Sequence, residues 1–207
     1  MLLFICSQLL AAEPSAEVMI ASVNQDSTGS VELGSEKISS FELSGGYGLS
    51  ETLSLLVSYG YGGIQTDYSA PHRESSYEEE YYDGNDYSFQ SGFSQHMVSI
   101  GARYRHSFTD WASVYGKAEG NIAVQTINFA PNVGEEDPIS KVSAMGISFG
   151  GTAALGMMGS FEIKENLPVV FVYFEGGYNL LSTASFDSIG DLDMSGGYSS
   201  LGCGLRF

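Results

Sequence analysis

The chain has 207 residues, among them 26 glycines and 25 phenylalanines and tyrosines beside one tryptophan. This is a length for one domain and a composition suited to strands and tight turns rather than helices. Eight Lys and Arg against 25 Asp and Glu leave a formal charge of −17, which excludes nucleic acid and any other partner bound chiefly by phosphate neutralisation.

Residues 1–12 form an apolar run ending in two alanines before Glu13-Pro14. The run reads as the core and cleavage region of an export signal that lacks its basic start, a buried N-terminal helix being the alternative. The expected division is a signal over 1–12, possibly shortened at its start, and a single barrel domain over 13–207. Cys6 would leave with the signal and Cys203 would remain alone, so no disulfide framework is expected. The surroundings of Cys6 do not suit a lipid anchor. Beyond residue 12 the longest apolar stretch is 167–174, far short of the roughly 20 residues a spanning helix needs.

The dominant period is two. Phe41, Leu43, Tyr47 and Leu49 alternate with Glu42, Ser44, Gly46 and Gly48, and after a break at 50–52 Leu53, Leu55, Val57, Tyr59 and Tyr61 resume the apolar set. This pattern predicts a hairpin. A second hairpin carries His96, Val98, Ile100 and Tyr104 up to a turn at 107–110 and returns through Val114, Ala118, Ile122 and Val124. A third runs from Met145 to Ile163, turns at 164–167 and returns through Val170, Val172, Phe174 and Tyr178. A last strand covers 194–207 and a weaker first one 18–24, which makes the count eight and puts both ends of the barrel on one side. Short turns alternate with long loops over 65–90, 129–140 and 181–193, the layout of outer-membrane barrels. The strand charges fall on the face that carries Gly and Ser, as a small lumen requires when lipid takes the other face. The expected fold is all-β: an eight-stranded antiparallel up-and-down transmembrane barrel.

The ending Gly202-Cys203-Gly204-Leu205-Arg206-Phe207 resembles the C-terminal signal of bacterial outer-membrane barrels, with Leu205 and Phe207 as the residues read by the assembly machinery. With the hairpins over 17–207, the chain resembles the small eight-stranded OmpA-like, OmpX-like and opacity-protein barrels. The resemblance implies a Gram-negative outer membrane with both termini periplasmic, outer-membrane lipid and the assembly machinery as partners, and a monomer. No peptidoglycan-binding domain is expected after the barrel.

Two inward layers follow from distance to the short turns: Glu42, Lys117, Glu119 and Glu175 near mid-barrel, and Arg103, Arg105, Glu162 and Arg206 nearer the periplasmic end. Buried charges must pair, so an ion-paired plug is expected. A narrow ion-conducting pore is the alternative function. The loop 65–90 holds Asp67, Tyr68, Glu78, Glu79, Glu80, Tyr81, Tyr82 and Asp83. It reads either as a rigid, amphipathic recognition surface for a surface partner or as a solvated run that repels neighbours. Its acids lack the ordered spacing of a calcium loop, and no zinc-like spacing exists, so neither metal nor cofactor is expected.

A lipid A-modifying enzyme would need a nucleophile, a base and an orienting carboxylate. His96 with Ser94 has no outward acid at its height, only Tyr59, Tyr61, Gly120 and Ile122. The expected function is therefore non-enzymatic, with no catalytic residues.

Overall fold

The structure is a computed structural model. It describes residues 15–26, 37–70, 87–132, 142–164, 167–186 and 190–207, with the backbone alone over 65–70, 87–91, 129–132, and at 142 and 190. The expected signal over 1–12 lies outside these residues, as do 71–86 of the acidic loop.

Alternating residues make strands wherever one face meets apolar and the other polar surroundings. In chain order these are β1 (Ala16–Gln25), β2 (Ile38–Gly48), β3 (Leu53–Ala70), β4 (Tyr87–Ser107), β5 (Ala112–Asn132), β6 (Val142–Phe161), β7 (Val169–Leu181), β8 (Ala184–Phe186), β9 (Gly190–Leu192) and β10 (Gly196–Arg206). Eight of them close a barrel in the order β1-β10-β7-β6-β5-β4-β3-β2, every neighbour antiparallel. The seam runs from Glu17↔Arg206 to Gln25↔Tyr198, so no edge is left unpaired there.

The barrel is inside out relative to a soluble one. Val57, Ile100, Ile122, Phe149, Leu155, Phe174 and Leu201 all lie exposed on the outer wall, whereas Ser58, Ser99, Asn121, Gln125 and Ser148 are buried. Such a wall is stable only against hydrocarbon, which makes this a transmembrane barrel. The lumen is less uniformly polar than the alternation suggests. Met19, Leu56, Tyr115, Met158, Phe171 and Tyr173 pack inside its short-turn half. Inward glycines supply the room, since a Cβ at Gly202 or Gly204 would come 2.5 Å from the Tyr173 or Phe171 ring. Tyr198 also turns inward and donates its hydroxyl to Glu175 at 2.6 Å.

Polarity reverses at one level. On β3 to β6 the inward rows of direct partners climb from Ser58, Ser99, Asn121, Gly150 through Gly60, Met97, Ala123, Ser148 and Gly62, Gln95, Gln125, Gly146 to Ile64, Phe93, Ile127, Ala144. Beside that last, apolar row the outward register turns polar, with Ser94 and Thr126 and then Asn128 and Ser143. At this level the described residues are patterned as in a sheet in water, apolar inside and, Met145 apart, polar or glycine outside.

The segment expected as a plain loop over 181–193 holds the small hairpin β8-β9, a separate two-stranded sheet. Its Ala184, Phe186 and Leu192, with the following Met194, form one buried cluster with Ile38, Phe93, Ile127, Ala144 and Leu181. Gln25 Nε2 donates to the Met194 carbonyl at 2.6 Å. The cluster corks the loop end of the lumen with its own hydrophobic core. Phe186→Ala, which removes a 3% exposed ring, is expected to cost the cork about 3–5 kcal/mol. Limited proteolysis should then cut 184–192 while the barrel keeps its heat-modifiable gel mobility; resistance equal to wild type would show that the ring does not hold the hairpin.

Candidate functional site

The site is the lumen, built in three tiers. Nearest the short turns, Glu17 of β1 lies under three arginines. Its Oε2 pairs with Arg103, and its Oε1 accepts from Arg206 Nε at 2.6 Å and from Arg105 Nη1 at 3.4 Å. The Glu17 side chain is 1% exposed, so this single carboxylate carries the charge balance for the tier. Arg105 also donates to the Glu51 carbonyl at 2.9 Å, and the Arg103 guanidinium lies 5.5 Å from the Tyr115 ring centre.

The middle tier centres on Lys117, whose Nζ lies 2.9 Å from Glu175 Oε1 and 3.2 Å from Glu119 Oε2. Glu119 also accepts from Ser58 at 3.2 Å. Glu42 accepts from Ser44 at 2.8 Å. It faces a cavity of about 20 Å³ that Lys117 and Glu119 also line, room for about one water.

Above this tier runs a chain of uncharged hydrogen bonds. Asn121 Nδ2 donates to Thr152 Oγ1 at 2.6 Å, Thr152 Oγ1 to Asn179 Oδ1 at 2.5 Å, and Asn179 Nδ2 to Gln25 Oε1 at 3.3 Å. Gln25 then holds the cork through Met194. Amides and hydroxyls that both give and accept suit such a closed interior, where each unmade bond costs roughly 1–3 kcal/mol.

The structure places Glu42, Arg103, Arg105, Lys117, Glu119, Glu175 and Arg206 inward, in the two expected tiers. Glu162 requires a correction. β6 and β7 part after Phe161↔Val170, so Glu162 lies past the last pair and is exposed. The carboxylate of that tier is Glu17, which falls one residue before the strand expected at 18–24. Its signal was available: Glu17, Met19, Ala21 and Val23 alternate with Val18 and Ile20, a continuous inward set. Among the described residues four carboxylates and four cations thus face the lumen and cancel, so the chain's charge of −17 does not come from them.

Of the surface-loop residues, Asp67 and Tyr68 stand on β3 with only their backbone described, and Glu78, Glu79, Glu80, Tyr81, Tyr82 and Asp83 lie outside the described residues. Leu205 faces outward on β10, and the Phe207 amide donates to the Ala16 carbonyl at 2.9 Å. His96 faces outward, with Nδ1 2.7 Å from the Tyr59 hydroxyl. The nitrogen that a carboxylate would orient in a triad is therefore taken by a phenol.

No family model matches the chain, and no curated protein matches it either. Solved structures do. Neisserial surface protein A is similar at 16% identity and a TM-score of 0.49, over 94% of this chain and 97% of that one. Ail, the attachment invasion locus protein of Yersinia pestis, is similar at 15% identity and 0.44, over 95% and 99%. The N-terminal β-barrel domain of Pseudomonas aeruginosa OprF is similar at 17% identity and 0.34, over 92% and 97%. The closed eight-strand barrel itself rests on the strand pairing described above.

Proposed function

We propose that the chain is a non-enzymatic outer-membrane protein. Its short turns and chain ends face the periplasm, and its acidic, tyrosine-rich loops face outward to make surface contacts or to support envelope integrity. Closure of the lumen is the observation that carries the reading. Two ion-paired tiers and an apolar cork stand in series across a lumen that eight strands leave only wide enough for side chains. A packed lumen whose described inward charges cancel supports a role at the surface rather than in solute passage. The outer-membrane lipid covers the apolar wall, the assembly machinery reads Leu205 and Phe207, and the barrel acts as a monomer.

The test is loop replacement. Because β3 and β4 pair as far as Ala70↔Tyr87, a two-residue turn can replace 71–86 without breaking the ladder. Loss of cell binding or of detergent resistance of the envelope is expected, with heat-modifiable mobility retained. A strain unchanged in both properties would overturn the assignment of function to that loop.

A further inference from the structure

The sealed barrel leaves one sequence motif unused: His96 with Ser94, both on the lipid face. Direct pairing puts His96 in the outward row Tyr61, His96, Val124, Ile147, and the next row toward the loops is Gly63, Ser94, Thr126, Met145. The first of these rows is flanked on its short-turn side by Tyr59, Val98, Ile122 and Phe149, a fully apolar wall at the ring positions. His96 therefore stands where hydrocarbon must give way to headgroups, the level at which inward and outward polarity exchange.

Two tyrosines flank the His96 ring. Tyr59 Oη lies 2.7 Å from Nδ1, and the Tyr61 ring lies 4.8 Å from the imidazole centre, tilted by 44°. A phenol that donates to Nδ1 leaves the ring proton on Nε2. The register sets further hydroxyl-bearing residues beside His96: Tyr61 directly opposite it, and Ser94 opposite Thr126 in the next row. The partners of these rows on β3 to β6 include no carboxylate.

We propose that His96 Nε2–H, with the hydroxyls of Tyr61, Ser94 and Thr126, binds the phosphate oxygens of a lipid headgroup whose acyl chains lie on the apolar rows below. The inference rests on the outer-membrane reading above. The site offers neutral donors in place of positive charge, so it does not conflict with a chain of −17. Neutral donors gain little from an anion free in water. A headgroup already anchored beside them is presented at high effective concentration, which is why a lipid and not free phosphate is the ligand.

The experiment follows His96 by nitrogen NMR in the refolded barrel in detergent micelles, with His72→Gln and His106→Gln to leave one histidine. The probes are short-chain phosphatidic acid, diacylglycerol of the same chain length and inorganic phosphate. The free barrel is expected to show the Nε2–H tautomer, and phosphatidic acid alone to shift Nε2. Tyr59→Phe, which frees Nδ1, should weaken the response about tenfold, the scale of one hydrogen bond to a charged group, with heat-modifiable mobility retained. An Nδ1–H tautomer would overturn the inference. So would an equal response to diacylglycerol, an equal response to inorganic phosphate, or an undiminished response in Tyr59→Phe. None of these outcomes bears on the loop replacement, so failure of the headgroup site is distinguishable from failure of the loop assignment.

Discussion

Glu17→Gln is expected to be among the most damaging single substitutions in the barrel, lowering its unfolding free energy by about 3–5 kcal/mol. The reason is a count of charges in a dry place. Three guanidinium groups converge on one carboxylate whose side chain is 1% exposed, and glutamine keeps the shape while removing the only negative charge of the tier. Arg103 is 2% exposed and would keep its charge without an ionic partner. A guanidinium does not shed its proton to escape such a site. Urea unfolding in micelles can be followed by the lone tryptophan, Trp111, which is exposed in the β4-β5 turn. Glu162→Gln is the control. It belongs to the same tier by strand parity alone, but is exposed beyond the strand end, and a change within about 0.5 kcal/mol is expected. If the two substitutions behaved alike, Glu17 would not be the residue that balances the arginines.

That pair of residues also marks how far the sequence reaches. Alternation identifies the barrel, its strand count and the facing of seven lumen charges, because a period of two assigns every residue in a strand to one side. It does not say where a strand stops. Glu17 and Glu162 each sit at a strand end, and each is misassigned for that reason alone. The cork is hidden for a different cause. Residues 181–193 look like a loop because their short apolar pieces, Ala184, Phe186 and Leu192, bury with the following Met194 against Ile38, Phe93 and Ile127 from distant strands, a tertiary contact without a local period. The reversal of polarity near Ile64 and Phe93 was written in the sequence. It is readable only once the register aligns four strands, since in any one strand it resembles a lapse in the pattern.

In the middle tier the expected result is a rescue. Lys117→Met alone should cost about 3–5 kcal/mol, because Glu119 and Glu175 then lie buried without their cation. Their remaining donors are neutral hydroxyls, Ser58 at 3.2 Å for Glu119 and Tyr198 at 2.6 Å together with Tyr115 for Glu175, which do not replace a cation. Adding Glu119→Gln and Glu175→Gln should restore most of the loss, since amides of the same shape can use those hydroxyls without stranding a charge. The departure from additivity, several kcal/mol for groups in one network, measures the coupling directly. A triple variant no more stable than Lys117→Met would mean that the lysine acts through packing, for instance against the Tyr198 ring 6.0 Å from its ammonium. The same proteins decide between plug and pore. Removing these three charges leaves Glu42, the arginine tier and the cork in place, so wild type and triple variant should both be silent in a planar bilayer. A wild-type conductance that the triple variant changes would put a narrow ion path through Lys117 in place of the plug.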